Sequence, residues 1–177
     1  LEPKDFGIRV FCEDNFVGKC RVTGVTAASE PSTAPPTIRH VRVEQDAVPR
    51  FGKFEVTCAL PDRYGNPFDT NDVWLTATFI GPAGETNVID GFYARDYFRK
   101  KQLTQETVVP QGAPYWQVRF CPTQVGTYTY ELRVQDRHGS ASWGPSSFRA
   151  VASERRGFIR VARADCRYFE FDNGDPF

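Results

Sequence analysis

Methionine is absent from this sequence, histidine is nearly absent, and neither sign of charge is in excess. The 177 residues include 22 Lys and Arg, 22 Asp and Glu, and two His, so the formal net charge is zero. A neutral chain lacks the basic surface with which proteins attract nucleic acids or anionic membranes. It also contains no apolar run near the roughly 20 residues that a membrane helix requires. We therefore expect no nucleic-acid partner and no membrane insertion.

Patterns typical of metal sites and nucleophiles are missing too. The cysteines lie at positions 12, 20, 58, 121 and 166 without a Cys-x-x-Cys pair, and the only histidines are His40 and His138. Zinc sites use closely spaced ligands, and a cysteine nucleophile needs a base beside it. Glycoside hydrolysis needs two carboxylates across a cleft, and no Asp or Glu lies in a recognisable acid/base setting. We expect no cofactor, no zinc site and no catalytic residue in this chain.

Two weaker patterns leave alternatives open. Cys12 and Cys20 flank the first predicted hairpin and could form a disulfide across it, although free thiols are favoured. The odd cysteine count leaves at least one thiol unpaired within the chain. Asp69, Asn71 and Asp72 could ligate calcium through side-chain oxygens, but the segment lacks the Gly and the distal Glu of an EF-hand loop. Turn capping is the favoured role for these three residues.

Aromatic residues and proline are abundant: the chain has 15 Phe, seven Tyr, three Trp and 13 Pro. Four segments alternate apolar and polar residues, which indicates half-buried strands; they are 54–60, 73–79, 116–120 and 128–134. No segment of ten or more residues has a helical apolar period. These features predict an all-β protein, with an immunoglobulin- or fibronectin III-like β-sandwich of about seven strands over residues 38–152. Because Pro110, Gly112 and Pro114 interrupt it, 99–114 should be the least regular stretch.

Composition divides the rest of the chain into three parts. Residues 1–26 form a short β pattern, interpreted as the terminal hairpin of a preceding β domain, and 27–37 form a Pro/Ser/Ala-rich linker. Residues 153–177 form a connector that ends in a predicted hairpin, Phe169–Phe177, with its turn at Asp172–Asp175. Since the second strand of that hairpin stops almost at once, we expect the chain to be part of a longer protein.

One segment mixes aromatic, cationic and anionic residues within seven positions, Phe92–Phe98. Packing along the sandwich edge is the favoured role for such residues, with domain docking next and a sugar platform last. The candidates for docking or sugar contact are Phe92, Tyr93, Arg95, Asp96, Tyr97 and Trp143.

A family resemblance emerges from several motifs taken in order and spacing. They are Val48-Pro-Arg-Phe-Gly-Lys-Phe-Glu-Val-Thr57, Asn66-Pro-Phe-Asp69, Phe79-Ile-Gly-Pro-Ala-Gly84, Gly91-Phe-Tyr-Ala-Arg-Asp-Tyr97, Trp116-Gln-Val-Arg-Phe-Cys-Pro122, Gly126-Thr-Tyr-Thr-Tyr130, Gly157-Phe-Ile-Arg-Val161 and Arg167–Phe177. Over residues 41–177 the sequence resembles the DUF5060-type module, a β-sandwich that precedes the catalytic TIM barrel of many predicted bacterial glycoside hydrolases. Residues 1–26 resemble, more weakly, the final strands of a carbohydrate-binding jelly roll.

The resemblance implies a non-catalytic accessory module of a secreted, multidomain glycoside hydrolase that acts on polysaccharide. Its partners would be a downstream catalytic barrel and an upstream β domain, with Gly91–Tyr97 facing the barrel and the module lining one side of the substrate cleft. The catalytic acids of that family lie in the barrel and have no counterpart here. Two alternatives stay open, a carbohydrate-binding module acting through exposed aromatics and an adhesion-type immunoglobulin-like domain.

Overall fold

The structure is a computed structural model that describes residues 33–102 and 105–177, and its regular elements are β-strands. In chain order they are β1 (Arg39–Val43), β2 (Ala47–Pro49), β3 (Phe54–Ala59), β4 (Val73–Ile80), β5 (Thr86–Asp90), β6 (Phe92–Gln102), β7 (Gln105–Phe120), β8 (Gly126–Asp136), β9 (Gly139–Val151), β10 (Ile159–Val161) and β11 (Phe169–Phe171). The predicted all-β class is confirmed. Within the described ranges there is no helix of the length and apolarity needed to cross a membrane.

The strands form three sheets. One sheet has four strands in the order β1-β3-β7-β6, and a second has five in the order β2-β9-β8-β4-β5. All neighbours in these two sheets are antiparallel, except that β2 pairs with β9 in parallel. The third sheet consists of β10 and β11.

Aromatic side chains join the two larger sheets into a sandwich. Along β3, β4, β7 and β8 the alternating apolar residues are buried, as their pattern predicts. Phe54 of β3 stacks on Phe148 of β9 with ring centroids 3.7 Å apart, and Phe120 of β7 stacks on Phe79 of β4 at 4.1 Å. Each contact crosses from one sheet to the other, so the core lies between two packed layers.

The sequence-based prediction was wrong about strand number and about 99–114. Nine strands, β1 to β9, form the two larger sheets, and 99–114 lies almost wholly in the long β6–β7 hairpin. Both prolines are tolerated because β7 pairs with β3 only from Trp116 onward, which leaves one edge of β7 open beside Pro110 and Pro114. Gly112, with a φ of 69°, lies where the β6–β7 register shifts.

Several predictions about the ends of the chain fall outside the described residues. These are the hairpin at 1–26, the Cys12–Cys20 disulfide and residues 27–32 of the linker. The rest of the linker, 33–37, lies on the sandwich: Pro36 is buried, and the Arg63 guanidinium donates a hydrogen bond to the Ala34 carbonyl at 2.6 Å. At the other end, the predicted C-terminal hairpin is present.

Candidate functional site

The C-terminal two-stranded sheet presents an apolar face to solvent. Ile159 lies opposite Phe171 and Val161 opposite Phe169, and the Phe177 N–H donates to the Phe169 carbonyl at 3.0 Å. Opposite residues share a face, and alternate residues return to it, so all five side chains lie on one side. Four of them are largely exposed: Ile159 by 48%, Val161 by 52%, Phe169 by 55% and Phe177 by 71%. These five residues are named the C-terminal apolar face.

The other side of this small sheet is charged. Arg160 of β10 forms an ion pair with Glu170 of β11 at 3.1 Å and reaches Asp172 at 3.6 Å. The sheet is therefore amphipathic, with its ion pairs on one side and its exposed apolar residues on the other. Contiguous exposed apolar surface of this kind marks sites of protein–protein or ligand contact.

The connector before β10 is attached to the sandwich. The Ser153 hydroxyl donates to the Arg50 carbonyl at 2.6 Å, and the Phe158 ring packs edge-to-face on Phe51 with centroids 5.8 Å apart. Phe51 has a φ of 61°, which is uncommon for a bulky residue, and its N–H donates to the Pro122 carbonyl at 2.8 Å. These contacts hold the C-terminal sheet against the sandwich.

Gly157 allows the connector to pass close to the small sheet, and replacing it with alanine should loosen that sheet. Its φ is 93°, and a Cβ there would lie 2.6 Å from the Asp172 Cβ. The Asp172 carboxylate accepts the Phe158 N–H at 2.8 Å, so the clash would disturb this hydrogen bond. We expect Gly157→Ala to destabilise the sheet by more than about 1 kcal/mol, seen as faster amide exchange in β10 and β11.

The matched control is Gly174→Ala. Gly174 has a φ of 90° but nothing within 4 Å of the position of an added Cβ. This substitution introduces backbone strain without a clash, so it should accelerate exchange less than Gly157→Ala. Equal acceleration by the two substitutions would contradict the proposed clash.

The structure brings together five of the six residues proposed from sequence for docking or sugar contact. Phe92, Tyr93, Arg95, Asp96 and Tyr97 all lie on β6. The sixth, Trp143, lies on β9 in the other sheet, where its ring packs at 6.2 Å from the core residue Tyr130. Trp143 thus borders the core in the five-stranded sheet. The other five residues, named the β6 cluster, lie in the four-stranded sheet.

The outer part of the β6–β7 hairpin is exposed on both faces. Residues 95–101 and 105–114 are all exposed, and this segment is named the β6–β7 arm. Tyr97 and Phe98 are 56% and 59% exposed. Arg99 forms an ion pair with Glu106 across the hairpin, and the Arg95 guanidinium donates to a carbonyl of β7. The arm therefore carries two large aromatic side chains in contact with water.

A cleft of about 300 Å³ lies where β3, β6 and β7 meet the loop that follows β3. Its walls are mainly aromatic rings and prolines, with one carboxylate at the rim. The residues used below are Asp62, Tyr64, Pro67, Tyr93, Tyr115 and Trp116, and together they are named the aromatic cleft. Tyr93 packs edge-to-face on Trp116 at 5.5 Å and on Phe68 at 5.6 Å.

Carboxylates orient two of the tyrosines. The Tyr64 hydroxyl donates to Asp136 at 3.3 Å; burial and the charge of Asp136 raise the pKa of Tyr64 to about 12. The Tyr115 hydroxyl donates to Asp96 at 2.9 Å, and that hydrogen bond, with burial, raises the pKa of Tyr115. Burial alone would raise the pKa of Asp136, but hydrogen bonds led by that from Arg63 lower it. Both tyrosines are neutral at pH 7, and their side chains are held in place by these contacts.

The calcium candidates lie in the loop between β3 and β4, where their oxygens accept hydrogen bonds. Asp69 Oδ1 accepts the backbone N–H and the side-chain amide of Asn71, both at 2.9 Å. Asp72 Oδ2 accepts the Asn66 N–H at 2.9 Å. Such contacts are typical of turn capping. In the part of the chain that the structure describes, no group of three or more His, Cys, Asp or Glu side chains is placed to hold a metal ion.

The described cysteines are free thiols: Cys58 is buried, Cys121 is half-buried and Cys166 is exposed. Burial raises the pKa of Cys58 to about 12, and it also raises the pKa of Cys121. Both thiols are therefore protonated at neutral pH and are weak nucleophiles.

Sequence reasoning missed two surfaces, the C-terminal apolar face and most of the aromatic cleft. Ile159 and Val161 flank the charged Arg160, and Phe169 and Phe171 flank the charged Glu170. This alternation was a usable signal for two amphipathic strands. It could not show that both strands turn the same face to solvent, because that depends on their register. Asp62 and Tyr64 carried no pattern at all, since they lie in a loop.

Comparisons with known proteins give one family and one structure. Residues 47–135, which make up half of the chain and run from β2 into β8, match the family model described as a domain of unknown function, DUF5060. A crystal structure of a putative glycoside hydrolase from Bacteroides vulgatus has 20% sequence identity and a TM-score of 0.49 over 75% of this chain. The matched part spans only 21% of that protein. No curated protein matches the sequence.

Proposed function

This chain belongs to the DUF5060 family, and we propose that it is the non-catalytic accessory β-sandwich module of a secreted, multidomain glycoside hydrolase. Its role is positional. It packs against a downstream catalytic barrel, supports that barrel, and lines one side of the cleft where polysaccharide binds. The observation that carries this proposal is the C-terminal apolar face.

Three features make that face suitable for docking a folded domain. Its exposed members lie together on one side of the sheet, and two of them are phenylalanines, which contribute large buried areas to interfaces. The Arg160–Glu170 ion pair occupies the opposite side of the sheet, so the apolar residues are concentrated on this side. The contacts of Ser153 and Phe158 with the sandwich hold it in place, so that docking there would orient the whole module.

The β6 cluster is a second docking surface under the same proposal. Tyr97, 56% exposed on the β6–β7 arm, is available to a neighbouring domain. Tyr93 is different, because it supports Trp116 and Phe68 within the module. Replacing both tyrosines with alanine should weaken docking. Because only Tyr93 supports other side chains of the module, Tyr97→Ala alone should weaken docking without destabilising the fold.

The first experimental step is to read the coding sequence on both sides of this chain. Downstream of Phe177 we expect about 250 or more residues that alternate strands and helices, with Glu at strand ends. Upstream we expect a signal peptide, as secretion requires. A stop codon soon after Phe177 would overturn the accessory role and favour the adhesion-type alternative.

The docking test then uses Phe169→Lys in the longer protein and in the 177-residue chain. A charge placed in a desolvated interface removes docking energy, so the variant should lower the unfolding temperature of the module by about 5 °C or more in the longer protein. In the 177-residue chain Phe169 is already more than half exposed, so the temperature should change by less than about 2 °C. Calorimetry measures both.

Val88→Lys is the matched control, because Val88 is 63% exposed on β5 in the five-stranded sheet. It should leave both unfolding temperatures unchanged. If Phe169→Lys had the same effect in both proteins, or none in either, the C-terminal apolar face would not be the docking surface.

A further inference from the structure

The aromatic cleft has the size and the walls of a small-molecule site. Its volume of about 300 Å³ is at the lower end of the roughly 300–1,000 Å³ range of protein ligand sites. Such sites combine mostly apolar walls with a few polar groups that orient the ligand. Here the half-buried Tyr64 and Tyr93 supply the rings at the surface, Trp116 packs behind both of them, and Asp62 supplies a charged group.

The walls are fixed before any ligand arrives. A hydrogen bond to Asp136 orients Tyr64, as described above, and Tyr93 packs edge-to-face on Trp116 at 5.5 Å. The ring of Tyr64 also packs edge-to-face on Trp116 at 6.4 Å. Because these side chains are already ordered, a ligand would bind without the entropic cost of ordering them.

The carboxylate of Asp62 indicates the chemistry of the ligand. Asp62 is exposed, and among the described residues it forms no hydrogen bond and no ion pair. A carboxylate can only accept hydrogen bonds, and its two oxygens can accept from two neighbouring donors. Adjacent hydroxyl groups on a sugar ring present such a pair of donors.

The aromatic rings complement the rest of a sugar ring. The face of an aromatic ring is electrostatically negative and apolar. The C–H face of a pyranose is weakly positive and apolar, so it stacks on such a surface while its hydroxyls point away to polar partners.

A proline-rich peptide is the competing occupant, because grooves lined by Tyr, Trp and Pro also bind polyproline helices. Its backbone offers carbonyl acceptors and, at each proline, no N–H donor. An unpaired carboxylate at the rim repels such acceptors but suits hydroxyl donors. The observations therefore favour a saccharide.

We propose that the aromatic cleft is a neutral-saccharide subsite, which binds one or two pyranose units by stacking on its aromatic walls and by hydrogen bonding to Asp62. The source of the saccharide, a polysaccharide chain held by the parent enzyme, rests on the proposed function. The binding itself does not, because it belongs to residues of this chain.

The test is an NMR titration of the ¹⁵N-labelled 177-residue chain with cellohexaose, xylohexaose, mannohexaose and laminarihexaose. We expect saturable shifts for at least one of these, confined to residues 59–67, 93 and 113–116. Asp62→Asn keeps the shape of the side chain but removes its charge, and it should weaken binding about tenfold. Phe98→Ala removes an exposed aromatic of the β6–β7 arm that does not line the cleft, and it should leave affinity unchanged.

Three outcomes would overturn the proposal. The first is the absence of saturable shifts with all four oligosaccharides. The second is equal affinity for the Asp62→Asn variant and the parent chain. The third is saturable binding of a decaproline peptide at the cleft with no oligosaccharide binding. None of these bears on the docking test with Phe169→Lys, because Asp62 lies outside the C-terminal apolar face.

Discussion

Replacing Phe79 with alanine is expected to lower the free energy of unfolding by about 3–5 kcal/mol. Phe79 is fully buried, with no exposed surface. Its ring stacks on Phe120 at 4.1 Å and on Tyr130 at 5.7 Å, and it meets Phe54 and Phe148 edge-on at 6.2 and 6.4 Å. The substitution would remove buried aromatic area and leave a cavity between the two sheets, which the rings around it could only partly fill.

The neighbouring residue provides the control. Ile80 follows Phe79 on β4, points to the other face of the sheet and is 46% exposed. Ile80→Ala should cost less than about 1 kcal/mol, since it removes little buried surface and leaves no cavity. Urea unfolding followed by tryptophan fluorescence measures both variants. Similar losses for the two would show that the rings around Phe79 do not form the centre of the core.

Asp136→Asn is expected to cost about 3–5 kcal/mol, because it breaks a buried ion pair from one side. The Asp136 side chain is 1% exposed and pairs with the Arg63 guanidinium, itself 11% exposed, at 2.5 Å. Asp136 also accepts the Tyr64 hydroxyl and the His138 N–H. The substitution removes the negative charge that balances a cation taken out of water. Because Arg63 also donates to the Ala34 carbonyl, the loop that follows β3 and the 33–37 segment should loosen together.

The control for Asp136→Asn is Glu106→Gln at the tip of the β6–β7 arm. Glu106 pairs with Arg99, but these side chains are 42% and 67% exposed. A solvated pair contributes at most about 1 kcal/mol, so this variant should be nearly as stable as the parent chain. The same urea experiment compares them. If Asp136→Asn cost no more than Glu106→Gln, burial would not be what makes the Arg63–Asp136 pair important.

The effect of Asp136→Asn should also depend on pH. The pKa of Asp136 is lowered in the folded protein, while an unfolded Asp has a pKa of about 3.9. A lowered folded-state pKa means that the carboxylate stabilises the fold fully above the unfolded pKa and loses this contribution as pH falls through the folded one. The difference in stability between parent and variant should be constant above about pH 5 and shrink below about pH 4. A constant difference down to pH 2.5 would contradict a stabilising ionised Asp136.

The fold class could be predicted from sequence because it depends on a local pattern. Tyr128, Tyr130, Leu132 and Val134 alternate with polar residues, and all four are buried on β8. Where the pattern was interrupted, the prediction failed. Pro110 and Pro114 suggested irregular chain, but they lie in β7 beyond the reach of β3, where a missing N–H has little effect.

The candidate surfaces also divide into those that a local sequence pattern predicts and those that it does not. The cluster at Phe92–Tyr97 was identified because its residues are adjacent in the chain and lie on one strand. Trp143 was grouped with them because it lies outside the clearest apolar alternation, and the fold places it on the other sheet. The aromatic cleft combines the loop carboxylate of Asp62 with the rings of Tyr93 and Trp116, which follow it by 31 and 54 positions, and no local pattern connects them.

The order of residues along the chain was enough to predict that it is built from strands, which side of each main strand is buried, and which family it belongs to. Those properties depend on the alternation of apolar side chains and on the order of short motifs. The three-dimensional fold was needed to show that Ile159, Val161, Phe169 and Phe177 share one exposed face, and that Asp62 and Tyr93 line one cleft. Strand register and loop placement arise from contacts between distant segments, and a one-residue slip would turn every side chain of a strand to the opposite face.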